Sequence, residues 1–340
     1  MPEPAEPVAL GRTGLEVSRL GLGTAPLGNL YEPVDEHEAR ATVRQAVRHG
    51  MRLVDTAPLY GHGLAEARVG AALTSLGVDA PVVLSTKVGR VLRPAGGSDT
   101  GRAAGSDTGR AASVFRDVPP VVPVFDFSHD GVLRSLESSL GRLGRDRVDI
   151  LLIHDPDDHY DEAREGAYRA LDRLRAEKTV AAVGAGMNQA EMLARFVREV
   201  ELDCVLVAGR YTLLDQSALA DLLPLCQAEG VGVLVGGVFN SGLLADPRPG
   251  APFDYAPAAA EVVARARRLA DVCAEHDTPL RAAALQFPLG HPAVTTVLTG
   301  TRSRAEVDEN IGLFKRPVPD ALWAALVDAG LLGRDVPLPA

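Results

Sequence analysis

The 340-residue chain has only three cysteines and no long apolar run. Cys204, Cys226 and Cys273 are widely separated, without the spacing of a metal site and without the number needed for a disulfide framework. No apolar stretch approaches the ~18 residues that a membrane span needs. Residues 1–7 have neither the basic nor the apolar part of a signal peptide. We therefore expect a cytoplasmic protein that does not act at a membrane.

Basic residues are in the minority. The chain has 35 Lys and Arg against 45 Asp and Glu, which gives a formal net charge of −10. Binding along a nucleic-acid backbone requires a basic surface, so we expect no nucleic-acid partner. The apolar fraction of 46% is ordinary for a globular protein, and the length allows a large core. The sequence gives no indication of the oligomeric state.

Short apolar runs alternate with segments of helical periodicity along most of the chain. The predicted strands are 20–24, 52–55, 81–85, 148–153, 180–185, 204–207, 231–235 and 296–299. The predicted helices are 64–75, 130–143, 163–178, 189–198 and 217–229, and a further helix is predicted to follow 299–303 and to run to Asn310. Strands that are apolar on both faces are typical of a parallel sheet covered by helices. Eight such units predict an α/β fold, a closed (β/α)8 TIM barrel that forms one domain over 1–340.

An open dinucleotide-binding sheet is the alternative fold. Such a sheet should have the pattern Gly-x-Gly-x-x-Gly after its first strand. The nearest match is Gly21-Leu22-Gly23-Thr24-Ala25-Pro26, in which proline replaces the third glycine. This mismatch favours the barrel.

Long loops are predicted after the third and seventh strands. In the first loop, residues 97–104 read GSDTGRAA and are repeated at 105–112, a composition that predicts a mobile segment. The flanking residues 121–127 include two aromatics and are predicted to form one wall of a pocket. The second loop is the Gly- and Pro-rich segment 236–257.

Three consecutive predicted strands each end in a polar residue, at the end of the barrel where folds of this type carry their active sites. They are Asp55, Lys87 and His154, and Tyr60 follows Asp55 by five residues. A tyrosine with a pKa of ~10 is a poor acid or base at neutral pH, but an adjacent ammonium lowers that pKa. A carboxylate would keep Lys87 charged in a dry site, and a neutral imidazole would orient a substrate oxygen. These four residues predict proton transfer coupled to hydride transfer.

Other interpretations of these residues remain open. Taken singly, each has a structural explanation: a helix cap for Asp55, a solvated strand end for Lys87, and packing for Tyr60 and His154. A metal-dependent hydrolase would use His154 with Asp155, but barrel metal sites usually draw histidines from several strand ends. We therefore expect no metal. A non-catalytic nicotinamide-binding subunit is the remaining alternative.

Three motifs carry a resemblance to a known family. They are DTAPLYG at 55–61, STK at 85–87 and LLIH at 151–154, and they resemble motifs of the aldo-keto reductase superfamily in the same order. The resemblance extends over nearly the whole chain. It implies a (β/α)8 barrel and an NAD(P)-dependent oxidoreductase. It also implies a catalytic tetrad of Asp55, Tyr60, Lys87 and His154, in which Tyr60 gives or takes the proton.

The same resemblance implies contacts to a nicotinamide cofactor, NAD or NADP. Those near the nicotinamide and pyrophosphate are Asn188, Tyr211, Gly237, Ser241 and Leu243, with Tyr211 stacked on the nicotinamide ring. Those at the adenosine end are Gly300, Arg302, Glu306 and Asn310. Arg302 suits the 2′-phosphate of NADP, whereas Glu306 repels it, and NAD is slightly favoured.

Segments 57–61, 208–216 and 237–242 are similar to a bacterial branch of the superfamily that oxidises sugars. This branch contains D-threo-aldose (L-fucose) 1-dehydrogenases and the similar pyridoxal 4-dehydrogenases. It implies oxidation of an aldose at C1 to a lactone. Pyridoxal oxidation and the reduction of an aldehyde or ketone are the alternatives for the same site. A polyol substrate needs polar partners, and the candidates are Asp157, Asp158, His159 and Asn240.

Overall fold

The computed structural model describes residues 2–77, 80–95, 114–254 and 256–339. Within these residues, eight parallel strands close into a barrel. They are β1 (Leu20–Gly23), β2 (Leu53–Asp55), β3 (Val83–Val88), β4 (Ile150–His154), β5 (Ala182–Met187), β6 (Cys204–Ala208), β7 (Gly232–Gly236) and β8 (Val294–Gly300). Strand β8 pairs with both β7 and β1, and this closes the sheet. The predicted (β/α)8 barrel is confirmed.

Helices surround the barrel. They are α1 (Glu36–Arg48), α2 (Leu64–Leu76), α3 (His129–Leu143), α4 (Arg169–Ala176), α5 (Ala190–Glu199), α6 (Leu222–Glu229), α7 (Ala260–Glu275), α8 (Leu280–Gln286), α9 (Arg304–Lys315) and α10 (Asp320–Asp328). A π-helical segment, Ala163–Tyr168, leads into α4. Helices α1, α7, α8 and α10 are additions to those predicted. In the described part of the chain, we find no helix with the length and apolarity to span a membrane.

Capping residues set where several of these helices begin. Asp35 accepts hydrogen bonds from two backbone amides of α1, Ser128 accepts one from α3, and Ser303 accepts one from Glu306 of α9. Each cap satisfies amide groups that have no partner within the helix. The loop–helix boundaries on the side of the barrel that carries polar residues are therefore fixed by local sequence.

Apolar side chains fill the barrel interior. Leu53, Ile150, Leu206, Leu234 and Leu298 belong to one buried cluster inside it. An N-terminal hairpin, Pro7–Ala9 paired with Glu16–Ser18, adds Leu10 and Val17 to that cluster, with both side chains fully buried. The hairpin therefore packs against the interior, and the polar residues of the barrel gather at its other end.

The segment after β3 contains a second hairpin that the sequence did not predict. Arg90–Pro94 pairs antiparallel with Val121–Phe125. The octapeptide repeat at 97–112, between these strands, lies outside the described residues. Phe125 and Phe127 stack on each other with ring centroids 5.6 Å apart, and both rings contact His159.

Alternate side chains of strand β3 face opposite sides of the sheet and make different contacts. Ser85 and Lys87 point towards Asp55 of β2, whereas Thr86 points outward and donates a hydrogen bond of 2.7 Å to Glu66 of α2. Glu66 is fully buried, and its second oxygen accepts a 2.7 Å bond from Arg142 of α3. Glu66 thus links two helices to the strand that carries Lys87.

Replacing Glu66 with alanine is expected to lower the free energy of unfolding by about 3 kcal/mol, because Arg142 loses its partner beside the core and Thr86 loses its acceptor. Urea unfolding measures the change. Glu177→Ala is the matched control, since it removes a carboxylate from an exposed pair with Arg173. The control should leave the midpoint almost unchanged, and equal midpoints for both variants would contradict the anchoring role of Glu66.

Candidate active site

Four polar side chains meet at the C-terminal end of the barrel. Asp55 ends β2, Lys87 lies near the end of β3 and His154 ends β4, while Tyr60 belongs to the loop after β2. Strands β2, β3 and β4 are consecutive neighbours in the sheet. All four side chains line one cavity of about 530 Å³, a size ordinary for small-molecule sites. The structure therefore brings together the residues that the sequence singled out.

The Lys87 ammonium is the centre of this group. Its Nζ donates to Asp55 Oδ2 at 2.6 Å, to the Thr56 carbonyl at 3.0 Å and to Tyr60 Oη at 3.1 Å. Ser85 Oγ donates to the other oxygen of Asp55 at 2.9 Å. Lys87 is 1% exposed and Asp55 is 3% exposed. Each charge is thus desolvated but fully partnered, which is the condition under which a buried ion pair persists.

Burial and charge act in opposite directions on Lys87 and Tyr60. Burial disfavours the charged Lys87, but Asp55 and Tyr60 outweigh it and raise its pKa, so the ammonium persists. Burial raises the pKa of Tyr60 above its usual value, and Lys87 opposes this rise without cancelling it. Lys87 therefore acts on the pKa of Tyr60 in the expected direction, but in the protein alone desolvation of the phenolate is the larger effect.

His154 is neutral at physiological pH. Burial holds its pKa well below the usual value, and the positive charges of Arg90 and Lys87 lower it further. The imidazole packs edge-on against the Tyr60 ring, with centroids 5.8 Å apart. A neutral imidazole beside a phenol can donate a hydrogen bond to a substrate oxygen without adding a charge to the cavity.

Two glycines fix the position of Tyr60. The loops after β1 and β2 contact each other backbone to backbone at Gly28 and Gly61. A Cβ on Gly28 would lie 2.5 Å from the carbonyl carbon of Tyr60, and one on Gly61 would lie 2.4 Å from the Gly28 oxygen. Gly61 also has a φ of +63°, which favours glycine. Larger residues at either position would displace Tyr60 from Lys87.

An ion pair that the sequence did not predict lies behind His154. Arg90 donates from Nη2 to Asp155 Oδ2 at 3.1 Å, and the same oxygen lies 3.4 Å from His154 Nε2. The Arg90 guanidinium also lies over the ring of Phe125 at 4.7 Å. Asp155 lines the cavity. The signal available in the sequence was the position of Asp155, which directly follows His154.

Most of the residues expected to contact a cofactor line the same cavity. They are Asn188, Gly237, Ser241, Gly300, Arg302, Glu306 and Asn310. Tyr211 and Leu243 do not line it, and both are fully buried. The Tyr211 ring packs at 5.2 Å from that of Phe287 in the core. The loop after β6 turns the Tyr211 side chain away from the cavity, so the structure does not bring it together with the other residues expected to contact a cofactor.

Carboxylates surround Arg302 at one end of the cavity. Its backbone amide donates to Glu306 at 2.7 Å, and its Nε donates to the same carboxylate at 3.2 Å. Its Nη1 donates to Glu32 at 3.1 Å. The charge of Arg302 is therefore already balanced before any ligand binds.

Arg281 of α8 is a second cation in this region, and the sequence did not predict it. Its guanidinium donates to Glu309 at 2.5 Å and to Asn310 at 3.2 Å, and all three residues line the cavity. Its Nε is buried without a hydrogen-bond partner among the described residues. An unpartnered donor beside the cavity fits an anionic ligand group.

Several residues expected near a polyol lie elsewhere. Asp157, Asp158, His159 and Asn240 are absent from the cavity lining, as is the segment 121–127. The loop after β4 directs Asp155 inward and leaves Asp158 exposed, whereas Asn240 lies in the loop after β7 and is buried. The lining is instead completed by Leu30, Tyr31, Leu59, Phe115 and Phe239. In the described ranges, no group of three or more His, Cys, Asp or Glu residues could hold a metal ion.

Comparison with known proteins agrees with this geometry. The model of the Aldo/keto reductase family matches residues 19–330. Pyridoxal 4-dehydrogenase from Microbacterium luteolum and D-threo-aldose 1-dehydrogenase from a Pseudomonas species are each 41% identical to this chain, covering 96% of it and 98% of the relative. The holo form of an aldo-keto reductase from Bacillus halodurans superposes with a TM-score of 0.72 at 26% identity, covering 98% of both chains. The chain therefore belongs to the aldo/keto reductase family.

Proposed function

We propose that the protein is a nicotinamide-dependent dehydrogenase that oxidises the C1 hydroxyl of a cyclic aldose to a lactone. The observation that carries this proposal is the contact of the buried Lys87 ammonium with both Asp55 and Tyr60 Oη inside the cavity. The relative named D-threo-aldose 1-dehydrogenase supports the substrate class. The relative named pyridoxal 4-dehydrogenase is equally similar and supports the same reaction on the cyclic hemiacetal of pyridoxal.

Aldo-keto reductases use NAD(P)(H), and the cavity has the donors for such a cofactor. Asn188 offers its amide near the tetrad, and Ser241 with the neighbouring glycines offers polar groups and open backbone for a pyrophosphate. Gly242 has no atom within 4 Å of the position of an added Cβ, so space remains beside this loop. Arg281, with its unpartnered Nε, suits the anionic part of the molecule. When bound, the nicotinamide would accept the hydride that leaves C1.

Tyr60 takes the proton in this proposal. As a phenolate, its Oη removes the hydroxyl proton from the C1 oxygen while the C1–H bond breaks and the C1=O bond forms. Lys87 stabilises the phenolate across the 3.1 Å contact, and Asp55 keeps Lys87 charged. Neutral His154 donates a hydrogen bond to the reacting oxygen and so orients it. The same groups serve carbonyl reduction in the reverse direction, with Tyr60 as the proton donor.

The adenosine end of the cavity favours NAD. Arg302, which would otherwise attract a 2′-phosphate, is paired with Glu306 and Glu32. Glu309 adds a further carboxylate to the lining. A phosphate placed beside Arg302 would meet the carboxylates of Glu306 and Glu32, whereas a free 2′-hydroxyl can donate to a carboxylate.

Purified protein mixed with NAD+ and an aldose such as L-fucose is expected to produce reduced nicotinamide, measured by its absorbance. The panel should include other aldoses, pyridoxal and simple aldehydes, each with both nicotinamides. Turnover with pyridoxal and none with aldoses would show that the substrate is pyridoxal and not an aldose. Tight cofactor binding without turnover of any substrate would favour a non-catalytic subunit.

Tyr60→Phe is expected to lower kcat by roughly 100- to 10,000-fold, because the group that moves the proton is removed. The dissociation constant for NAD+, measured by calorimetry, should stay nearly unchanged. Tyr211→Phe is the matched control: it removes a hydroxyl that is buried outside the cavity and has no partner among the described residues. Near wild-type turnover by Tyr60→Phe would show that another residue moves the proton.

Glu306→Gln is expected to raise the preference for NADP+ over NAD+ by about tenfold, because one negative charge beside the 2′-position is lost and Arg302 is partly released. The measurement is the ratio of kcat/KM for the two cofactors. Asp308→Asn, on the same helix but outside the cavity lining, is the control that removes a charge at greater distance. An unaltered ratio in Glu306→Gln would mean that this carboxylate does not face the ribose.

A further inference from the structure

One carboxylate beside the tetrad has no role in the proton transfer. Asp155 follows His154 and lines the cavity. Its φ of 42° places it in the left-handed region, which residues with a side chain adopt only at an energetic cost. Its backbone amide donates to the Gly186 carbonyl of β5 at 3.0 Å, and this bond holds the turn in place. The strained turn directs the carboxylate into the cavity instead of along the loop.

Arg90 fixes the orientation of this carboxylate. The guanidinium is almost fully buried, is held over Phe125, and donates to Asp155 Oδ2 at 3.1 Å. Asp155 Oδ1 accepts no hydrogen bond from any described residue. The Asp155 side chain is 18% exposed, in contrast to 5% for Arg90. One carboxylate oxygen is therefore anchored, and the other is available to a ligand.

The Asp155 carboxylate lies close to the reacting centre. Asp155 Oδ2 is 3.4 Å from His154 Nε2, and the negative charge of Asp155 contributes to the raised pKa of Tyr60. Leu30, Leu59 and Phe115 give the lining an apolar part in the same cavity. A substrate whose reacting oxygen contacts Tyr60 and His154 thus has its adjacent carbon within reach of a fixed acceptor. The complementary group on that carbon is a hydroxyl.

We infer that Asp155, oriented by Arg90, selects substrates with a hydroxyl on the carbon next to the reacting carbon, by accepting a hydrogen bond from it. The inference rests on the proposed function, because it places the reacting oxygen at Tyr60. A hydrogen bond to a charged acceptor discriminates strongly, since loss of the hydroxyl leaves Oδ1 of the oriented carboxylate without a partner. Asp155 is thereby a specificity-determining residue for aldoses over their 2-deoxy analogues and over simple aldehydes.

The test combines an enzyme change with a substrate change. Wild type and Asp155→Asn are each assayed with L-fucose and with 2-deoxy-L-fucose, and kcat and KM are determined separately. In wild type, kcat/KM for the 2-deoxy sugar should be about 10- to 100-fold lower than for the parent sugar. In Asp155→Asn this ratio should fall several-fold, because a neutral amide replaces the charged acceptor, with most of the change in KM for the parent sugar.

Asp158→Asn is the matched control, since it removes a carboxylate three residues along the same loop that is exposed and does not line the cavity. It should keep the wild-type ratio of kcat/KM between L-fucose and 2-deoxy-L-fucose. Thermal unfolding and calorimetric NAD+ binding establish that Asp155→Asn is folded. Arg90→Lys keeps the positive charge and serves as a second variant, in which the ratio of kcat/KM between the parent and the 2-deoxy sugar should be partly reduced.

The outcomes distinguish failure of the inference on Asp155 from failure of the proposed function. A wild-type ratio retained in Asp155→Asn, with kcat lowered equally for both sugars, would overturn the inference and leave Asp155 as a positioning residue for His154. Unfolding of Asp155→Asn with an unaltered ratio in Arg90→Lys would also overturn it. Absence of turnover by wild type with every aldose would instead overturn the proposed function.

Discussion

The structure of the site depends on one buried ion pair, Lys87 with Asp55. Moving two charges out of water costs several kcal/mol per ion, and a lone lysine at this depth would lose its proton. Asp55, the Thr56 carbonyl and Tyr60 Oη together satisfy the three ammonium hydrogens, and Ser85 supports the carboxylate. Because the pair keeps its charge, Tyr60 has a permanent cation beside its hydroxyl, while burial, together with the charges of Arg90 and Lys87, lowers the pKa of His154 and keeps it neutral.

This ion pair is possible because of where the barrel places polar side chains. The interior below the site is filled by apolar residues, so the charges gather at the C-terminal ends of adjacent strands, with loops above them. The outward face of β3 contributes as well, because Thr86 ties the strand to Glu66 and through it to two helices. The register of Lys87 relative to Asp55 is therefore set by interactions on both faces of the sheet.

The sequence was sufficient to predict the barrel strands and the positions of Asp55, Lys87 and His154, because a strand determines where the residue at its end lies. Residues in loops do not have this property. Tyr60, in the loop after β2, was predicted from its place in the DTAPLYG motif. Tyr211 lies a few positions beyond β6, and whether it faces the cavity or the core depends on a turn whose direction tertiary packing determines. The pair of Arg90 and Asp155 was missed for the same reason, since it joins the start of one loop to a left-handed residue in another. Arg281 reaches the cavity from α8, a helix that was not predicted.

Charge is distributed along the cavity in a way that restricts what can bind. The cation at its centre, Lys87, is balanced by Asp55, and carboxylates stand at both ends: Asp155 near the tetrad, and Glu306 with Glu309 at the far end. Arg90, Arg302 and Arg281 each pair with one of these carboxylates, so guanidinium groups orient them without creating a positive surface. A chain with a net charge of −10 adds no attraction for anions at long range. This charge distribution supports the proposed uncharged, hydroxyl-rich substrate and the proposed cofactor without a ribose phosphate, and both proposals have the same electrostatic basis.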